Sequence, residues 1–528
     1  MTCFVWHTLP ALSELAAAIR ANPQRPLYLA ACLPEARLPE FVPCRHADAL
    51  ETALAQALRE QTRCVQFHTA NALYHVLPDV HFWLLPPNQA DHFADYLPQM
   101  IWQQDSVPQT VAAPKPWFVP PAPQAAQNAV VAGAGIAGAA TAYYLAEAGV
   151  RVQVLERGLA ANAASGNRQG LLYAKISPHP TVQTQLLLAG YGHTRRLLER
   201  LLPESGAWGG SGVLHLNFNE AERKRNQSLA AQHEYAHLYR GVSEQEAGKL
   251  AGIPVFSDGL YWPQGVWLNP AALIHALLSH PNIELHEHTP LLSAEHDGTH
   301  WQVHTPQGRL KTAHIIYCCG ADSHALPENN IAALPLRHIR GQTGVAAANA
   351  FSRQLRCALS GESYISPIWQ NQHGYGASFV LNNNDCTWQP HEEAANRAAL
   401  HQLNPALADA LFSDGLNPIS QAQGHAAVRC DSFDHLPMAG AVGDAQAMRR
   451  LYAKLALDKN HRLSAPCPYL PGVWLNTAHG TRGLATAPIC AAALAADILG
   501  LPNPLPPHIR TALAPNRAVV REIIRRET

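Results

Sequence analysis

The chain has 528 residues, 47% of them hydrophobic, and a formal net charge of −1. This length predicts more than one domain, and the apolar fraction suffices for a sizeable core. The near-neutral charge argues against a protein that coats nucleic acid nonspecifically, but it allows a basic patch on one face. The sequence shows neither an apolar run of the roughly 18 residues that a membrane span needs nor a signal peptide. We therefore expect a soluble cytoplasmic protein that does not associate with membranes.

The cysteines and histidines do not form a metal-binding pattern. The 11 cysteines are scattered without a C-x-x-C pair, and the 29 histidines show no H-E-x-x-H or comparable spacing. Buried reduced thiols explain such cysteines better than a disulfide framework does. We predict no metal.

Residues 1–105 predict a small α/β unit of unknown role. Its expected elements are a helix over 12–19, a strand over 26–32, a helix over 47–58 and strands over 64–67 and 80–85. The unit lacks the glycine-rich turn that an S-adenosylmethionine site needs. Residues 106–127 are rich in Pro, Ala and Gln, which is typical of a linker.

A strand, a turn and a helix follow over residues 129–149, with glycines in the pattern G-x-G-x-x-G. The first glycine permits a tight turn, the second lets backbone approach a pyrophosphate, and the third lets the helix pack on the strand. The helix N-terminus favours phosphate. A second strand ends in an acid that can accept hydrogen bonds from a ribose hydroxyl. The arrangement predicts a dinucleotide site formed by Gly133, Gly135, Ile136, Gly138, Glu156 and Arg157.

Residues 163–173 are rich in Gly and polar residues, and composition alone does not separate an ordinary loop from a binding loop. The elements expected next are a helix over 181–202, a strand over 212–216, a helix capped by Ser243, a hairpin over 259–268 and strands joined at Asp297-Gly298. A buried strand then ends in Gly320, where backbone can pass close to a nucleotide.

The last third of the chain combines a strand-rich stretch over 339–381, a helix over about 391–411 and a strand that begins at Val473. That strand meets a small-residue helix over 484–499 through Gly480 and Gly483. The N-terminus of this helix is a second one directed at the dinucleotide site. It suits a flavin, because the reduced flavin ring carries negative charge that the helix dipole stabilises.

In this arrangement the chain resembles the FAD-dependent amine oxidoreductases of the D-amino acid oxidase type. More narrowly, residues 128–528 resemble the C-terminal oxidoreductase half of the bacterial tRNA 5-methylaminomethyl-2-thiouridine biosynthesis bifunctional proteins. The motifs that carry this resemblance are A-S-G-N-R-Q-G with L-Y (164–173), Y-W-P-Q-G (261–265), V-R-C with D-H-L-P-M (428–438), R-G-L (482–484) and A-P-N-R (514–517).

The resemblance implies an α/β fold with FAD as cofactor. An FAD-binding Rossmann-like domain of the glutathione-reductase or D-amino acid oxidase type would carry an inserted antiparallel-sheet substrate domain, preceded by the small N-terminal α/β unit. The FAD-binding parts would be about 128–212, 268–335 and 420–528, and the substrate-domain parts about 213–267 and 336–419. Further FAD contacts would come from Gly166, Asn167, Arg168, Gln169, Gly320, Gly480, Arg482, Gly483 and Leu484.

The reaction that the resemblance implies is oxidative removal of the carboxymethyl group from 5-carboxymethylaminomethyl-(2-thio)uridine at the tRNA wobble position, which gives the 5-aminomethyl form. Arg429 is a candidate for binding the substrate carboxylate, because a guanidinium matches a carboxylate bidentately; a structural salt bridge is equally open. Tyr364 would help bind the carboxylate or line an aromatic wall, unless it is a core tyrosine. For His479, a capping or solvated histidine is favoured over a catalytic one.

Two clusters of arginines are candidates for contacting the tRNA backbone, although charges at helical spacing also mark solvated faces. They are the C-terminal Arg517, Arg521, Arg525 and Arg526, together with Arg195, Arg196 and Arg200.

The chain departs from the family in its N-terminal part. The family's N-terminal half is an S-adenosylmethionine-dependent methyltransferase with a motif of the type E-x-G-F-G-T-G, which residues 1–125 lack. We therefore expect a separate methyltransferase to act downstream. Ser432-Phe433 also stands where the family usually has Thr-Arg, which puts a substrate contact in doubt.

Two other functions remain open. One is an FAD-dependent dehydrogenase or oxidase of small amines or D-amino acids, because a fold alone does not define a substrate. The other is a non-catalytic tRNA-binding or partner-docking protein that retains FAD structurally.

Overall fold

A computed structural model describes residues 2–97, 101–104, 115–325, 334–413 and 415–526. Residues 106–114 of the expected linker lie outside this range, as do residues 326–333 of the second expected FAD-binding part. Within the described ranges, the helices are all too short or too polar to cross a membrane.

The N-terminal unit is built on a five-stranded sheet in the order β3-β4-β2-β1-β5, parallel except for the antiparallel pair β3 and β4. Its elements are β1 (Thr2–Trp6), α1 (Leu12–Ala21), β2 (Leu27–Cys32), α2 (Ala49–Gln61), β3 (Asn71–Leu77), β4 (Val80–Leu85), α3 (Phe93–Tyr96) and β5 (Ile101–Gln104). The strand expected over 64–67 is wrong. Here the Gln66 side chain bonds the backbone N–H groups of His68 and Thr69, at 2.7 and 3.0 Å, and folds the segment into a loop.

The middle of the chain supplies the nucleotide-type unit and the first strands of a second sheet. Its elements are β6 (Asn128–Ala132), α4 (Ile136–Glu147), β7 (Arg151–Leu155), β8 (Gly170–Leu172), α5 (Val182–Leu201), β9 (Trp208–Gly209), β10 (Val213–Leu216), α6 (Glu220–Ala230), β11 (Arg240–Val242), α7 (Glu244–Ala251), β12 (Gly259–Trp262), β13 (Val266–Leu268), α8 (Pro270–Leu278), β14 (Ile283–His286), β15 (Ser293–His296), β16 (Trp301–Thr305), β17 (Gly308–Thr312) and β18 (Ile315–Tyr317). As expected, the Ser243 side chain caps α7 by accepting the N–H of Glu246.

The last part of the chain completes both sheets. Its elements are β19 (Leu336–Ala347), β20 (Ala358–Ser360), β21 (Tyr364–Ile365), β22 (Gln372–Gly376), β23 (Val380–Leu381), α9 (Pro390–Leu403), α10 (Pro405–Phe412), β24 (Gln423–Ser432), β25 (Met438–Gly443), α11 (Ala445–Leu451), β26 (Tyr469–Thr477), α12 (Gly483–Leu499), α13 (Pro507–Leu513) and α14 (Asn516–Arg525).

A six-stranded sheet in the order β14-β7-β6-β18-β26-β25 forms the nucleotide-type layer, parallel except at β25. A nine-stranded, largely antiparallel sheet combines β10–β12 with β19–β24. Two three-stranded sheets, β8-β13-β9 and β15-β16-β17, complete the set. The expected fold class is confirmed, while the exact domain boundaries stay predictions. Strand β24 belongs to the nine-stranded sheet, although it falls in the third expected FAD-binding part.

Two expected elements differ from the structure. Strands β12 and β13 do not form a hairpin, because β12 lies between β10 and β11 while β13 lies between β8 and β9. The helix expected over 391–411 is two helices. Pro405 cannot donate a helical hydrogen bond, and the side chain of Asn404 caps the second helix by accepting the N–H of Leu407 at 2.9 Å.

The N-terminal unit shares its core with the nucleotide-type unit. One cluster of buried side chains runs from Phe4, Leu29 and Phe82 to Val131 and Leu187. Polar contacts reinforce it: the Trp83 indole N–H donates to the Asn503 carbonyl at 3.0 Å, and the Asn503 N–H donates to the Tyr96 carbonyl at 2.8 Å. The expected small α/β unit is therefore present, but it is packed as a layer of the larger body.

Candidate active site

A cavity of about 1020 Å³ opens where the carboxyl ends of β6, β18 and β26 meet the nine-stranded sheet. The crevice outside the carboxyl ends of parallel strands is where α/β sheets bind ligands. The residues expected at the site that line this cavity are Gly133, Gly135, Ile136, Glu156, Arg157, Asn167, Gly320, Tyr364, Arg429, His479, Gly480, Gly483 and Leu484.

The turn after β6 has the geometry that a dinucleotide needs. Gly133 has φ of +99°, which favours glycine, and a Cβ on Gly138 would lie 1.8 Å from the Gly133 carbonyl oxygen. Gly138 lies behind the turn rather than on the cavity wall, so its role is to let α4 pack on β6. The Glu156 carboxylate accepts the N–H groups of Ala134 and Gly158, both at 2.9 Å. These bonds hold the carboxylate beside the turn.

Ser165 was not among the expected contacts, yet its hydroxyl accepts the Ile136 N–H at 3.1 Å. It therefore lies at the N-terminus of α4, where a phosphate is favoured. The sequence signal was its place in the A-S-G-N-R-Q-G stretch, but nothing in that stretch indicates which member reaches the helix.

The loop before β8 divides its side chains between two directions. Asn167 lines the cavity, whereas the Arg168 guanidinium donates to the Trp369 carbonyl at 2.8 Å and stacks on the Trp369 ring at 4.6 Å. The buried Gln169 amide bonds Pro367 and Gly374 of the nine-stranded sheet, at 2.9 and 2.7 Å. Arg168 and Gln169 thus tie the loop to the neighbouring sheet, and their side chains do not reach the cavity. Gly166 also lies off the cavity wall, where a Cβ would meet the ring of His425 at 2.6 Å.

At the start of α12, Gly480, Gly483 and Leu484 line the cavity, and Arg482 lies just outside its wall. His479 lies between the Thr486 hydroxyl and the Asn476 amide oxygen, each 3.0 Å from a ring nitrogen. Burial lowers the pKa of His479 to about 3, so the ring is neutral at pH 7. Its position is that of a half-buried, hydrogen-bonded histidine on the cavity wall.

Arg429 and Tyr364 come together on the nine-stranded sheet's side of the cavity. The Arg429 guanidinium donates to the Ser378 carbonyl at 3.0 Å and lies 5.8 Å from the centroid of the Phe379 ring, and within the described ranges it forms no ion pair. Burial lowers its pKa, and the neighbouring Tyr364 phenol has the opposite effect. Burial raises the pKa of the Tyr364 phenol to about 12. The structural salt bridge that was open for Arg429 is thus not observed among the described residues, and a half-buried cation lines the cavity.

The arginines of α5 face the protein interior. Arg195 is 9% exposed and pairs with Glu199 at 2.8 Å, and the buried Arg196 donates to the Ala72 carbonyl of the N-terminal unit at 3.4 Å. Arg200 lies 3.5 Å from Glu147. These three side chains join α5 to its neighbours, so they are not available to bind a nucleic acid.

The C-terminal arginines differ from one another in exposure. Arg517 is 8% exposed and binds the Asp434 carboxylate with two nitrogens, at 3.0 and 2.9 Å. We therefore withdraw Arg517 from the candidate tRNA contacts. Arg521 stacks on the Phe433 ring at 4.0 Å, and Arg525 and Arg526 are exposed at the end of α14.

Solved structures share this fold at low sequence identity. Glycine oxidase from Bacillus cereus aligns with a TM-score of 0.56 at 17% identity, covering 71% of this chain and 95% of that one. L-proline dehydrogenase from P. horikoshii aligns with a TM-score of 0.57 at 16% identity, covering 76% and 98%. At these identities the likeness establishes the fold.

The sequence model described as FAD dependent oxidoreductase matches residues 128–497, and the chain belongs to that family. It is an FAD-dependent oxidoreductase. Among curated proteins it is 42% identical over 414 residues to the tRNA 5-methylaminomethyl-2-thiouridine biosynthesis bifunctional protein MnmC of Ectopseudomonas mendocina, covering 78% of this chain and 62% of the relative. The protein of that name from Pseudomonas savastanoi is 39% identical over 425 residues. The chain thus spans somewhat less than two thirds of the length of these relatives.

The residues present fit FAD. A glycine turn that a Cβ would fill, a carboxylate at the end of β7 and two helix N-termini border one cavity of dinucleotide size. Glu156 would hold the ribose, and the N–H groups at the start of α4 would hold the phosphates.

We expect Gly138→Ala to abolish FAD retention. The added methyl group would overlap the Gly133 carbonyl, which is backbone and can move only if the whole turn moves. The absorbance ratio of flavin to protein after purification measures this. Gly158→Ala is the matched control, because its Cβ would lie 3.8 Å from the Glu156 carboxylate, an ordinary contact. Equal flavin content in both variants would contradict the expectation.

Proposed function

We propose that the protein oxidatively removes the carboxymethyl group from 5-carboxymethylaminomethyl-(2-thio)uridine at the tRNA wobble position and leaves the 5-aminomethyl form. The observation that carries the proposal is the half-buried Arg429 guanidinium, which lines the cavity without an ion-pair partner among the described residues. A secondary amine that bears a carboxymethyl group supplies the missing anion next to the carbon to be oxidised. The names of the relatives supply tRNA as the candidate carrier of that amine.

In this proposal the chain's residues orient the amine. Arg429 binds the carboxylate, and Tyr364 closes the pocket beside it. Bound FAD would supply the hydride acceptor for the carbon between the carboxylate and the nitrogen. The resulting substrate imine takes up water and separates into glyoxylate and the primary amine. The neutral His479 beside the cavity adds no charge that would repel the substrate.

A basic surface supports a polynucleotide substrate. Residues 444–462 and 516–526 contain nine Arg and Lys against three Asp and Glu, a net charge of +6 in a chain whose total is −1. Helices α11 and α14 are held together by Arg449 and Glu522, 3.0 Å apart. We call the exposed members of this surface the basic face; they are Arg450, Lys454, Lys459, Arg462, Arg525 and Arg526.

We expect charge reversal on the basic face, Lys454→Glu with Arg526→Glu, to raise KM for tRNA roughly 10-fold at low salt and to flatten its salt dependence, because fewer counterions are released on binding. Flavin content and reduction by a small amine should not change. Steady-state kinetics at several salt concentrations measure the effect. Arg309→Glu with Lys311→Glu is the matched control on another exposed surface. An equal rise in KM for the control pair would mean that general charge, rather than this face, attracts tRNA.

The deciding experiment is mass spectrometry of nucleosides in tRNA from cells that lack this gene, before and after addition of the purified protein. Conversion of the carboxymethylaminomethyl nucleoside to the aminomethyl form, and no further, supports the proposal. An unchanged nucleoside would favour oxidation of small amines instead. A methylated nucleoside in the presence of S-adenosylmethionine would contradict our further proposal that a separate methyltransferase acts downstream. A tRNA substrate also leads us to propose a cytoplasmic location.

A further inference from the structure

A cluster of ionisable side chains borders the cavity near the start of α12, and the steps described above do not use it. Tyr173, which directly follows β8, lines the cavity together with Ser360 of β20. Behind them lie His215 of β10 and Glu222, in the first turn of α6. Four separate segments of the chain thus place these groups in a row.

The row is joined by hydrogen bonds. The Tyr173 hydroxyl lies 2.8 Å from the Ser360 hydroxyl and 3.4 Å from His215 Nδ1. On the other side of the ring, His215 Nε2 lies 2.8 Å from Glu222 Oε2. A chain of hydrogen bonds therefore connects the cavity to the Glu222 carboxylate through the Tyr173 phenol and the His215 imidazole.

The direction of the bonds follows from the charges. Glu222 carries a carboxylate, so His215 Nε2 holds the proton and donates it, which leaves the Nδ1 lone pair facing the phenol. Arg225 Nη2 lies 3.0 Å from the same Nε2, but Arg225 Nη1 and Nη2 both donate to the Glu222 carboxylate. Neutral His215 can thus accept a proton from the cavity side.

The path ends near solvent. His215 is 2% exposed, while the side chain of Glu222 is 12% exposed and contacts Lys175 at 3.4 Å as well as Arg225. Arg482 lies on the cavity side near Tyr173. The charges of Lys175 and Arg225 disfavour an added proton on His215, so the imidazole passes a proton on and does not store it.

We propose that Tyr173, His215 and Glu222 form a proton-transfer path that removes the proton from the substrate ammonium before its oxidation, an inference that rests on the amine chemistry of the proposed function. The ammonium N–H proton passes to the Tyr173 oxygen as the phenolic proton passes to His215 Nδ1. The Nε2 proton then moves toward Glu222 and solvent. The nitrogen lone pair released in this way supports loss of hydride from the adjacent carbon. Tyr173 is the catalytic residue, and His215 and Glu222 are positioning residues.

At neutral pH His215 and Glu222 each have a free acceptor site, and because both are weaker bases than an alkylamine the proton ends in solvent. Burial lowers the pKa of His215, while the bond to Glu222 has the opposite effect. The net result is a neutral imidazole at pH 7. The bond to His215 and the charges of Lys175 and Arg225 together outweigh burial and lower the pKa of Glu222 to about 2, so its carboxylate remains ionised.

The test is anaerobic stopped-flow reduction of the FAD-loaded full-length protein between pH 6 and 10, with the 5-carboxymethylaminomethyluridine nucleoside and, separately, with sarcosine. For Tyr173→Phe we expect a roughly 10²-fold slower reduction at pH 7, which is the rate enhancement that a positioned proton-transfer group typically provides. The deficit should shrink as the pH rises through the pKa of the amine, because solvent then supplies the neutral form. Glu222→Gln should show a smaller deficit of about 10-fold with the same pH trend.

Glu220→Gln is the matched control, because this exposed glutamate starts the same helix and contacts only Arg223 among the described charges. It should leave the pH profile unchanged. Deficits of equal size at every pH in Tyr173→Phe and Glu222→Gln would show a structural role and overturn the path. An unchanged rate in Tyr173→Phe would overturn it as well. If sarcosine reduces the flavin and the nucleoside does not, the tRNA substrate is refuted, but the sarcosine data still test the proton-transfer path. If neither amine reduces the flavin, both the proposed function and the path are overturned.

Discussion

Replacing Arg429 by methionine should weaken the binding of carboxylate-bearing amines by about 3 kcal/mol, or roughly 10²-fold. The guanidinium is half-buried and lines the cavity, and its described hydrogen bond is the one to the Ser378 carbonyl. The substrate carboxylate keeps its charge throughout the reaction. The loss should therefore appear in the apparent Kd for flavin reduction, with a much smaller change in the limiting rate.

The comparison that isolates this contact uses sarcosine and its amide. The variant should lose affinity for sarcosine but bind the amide as the unmodified enzyme does, because the amide carries no negative charge. Arg429→Lys should recover part of the affinity, since an ammonium keeps the charge but loses the bidentate geometry. Arg353→Met removes an exposed arginine of the same sheet region and should change neither value. An equal loss for sarcosine and its amide would show that Arg429 shapes the pocket and does not bind the carboxylate.

Gly133 and Glu156 border the cavity as expected, because each acts locally, while their contacts to FAD stay predictions. The turn at Gly133, the close packing at Gly138 and the acid at the end of β7 all follow from a strand, a turn and a helix within 30 residues. Arg429 and Tyr364 were candidates through a motif, and their meeting in one cavity depends on how β24 and β21 are placed in the nine-stranded sheet. No local pattern contains that information.

Side-chain direction was the part that the sequence could not supply. Asn167, Arg168 and Gln169 are consecutive, yet one lines the cavity and the next two bind the neighbouring sheet. The arginines of α5 have the spacing of a solvated face, but a layer of N-terminal strands covers that face. The sequence does not indicate the pair His215 and Glu222, because a β-strand and a helix bring them together only in the folded protein.

Removing the N-terminal unit should abolish folding of the remainder. A chain that begins at residue 115 would expose the apolar surface of α4 and α5, where Tyr144 and Leu187 belong to the same buried cluster as Leu29 and Phe82. It would also leave the Asn503 carbonyl without the Trp83 indole that binds it. We expect this fragment to be insoluble or to lack FAD, measured by soluble yield and flavin absorbance.

A point variant tests the same interface without truncation. Tyr74 of β3 contacts Trp83 within its own unit and Tyr144 and His193 across the interface, with ring centroids 5.6 to 5.8 Å apart. Tyr74→Ala should lower the free energy of unfolding by about 3 kcal/mol through the cavity that it creates. Tyr74→Phe keeps the ring contacts and should cost far less. Because the two units share one core, unfolding should remain a single transition that releases flavin and exposes the N-terminal tryptophans together. Separate transitions, or a soluble yellow fragment from residue 115 onward, would mean that the oxidoreductase core is stable without its N-terminal layer.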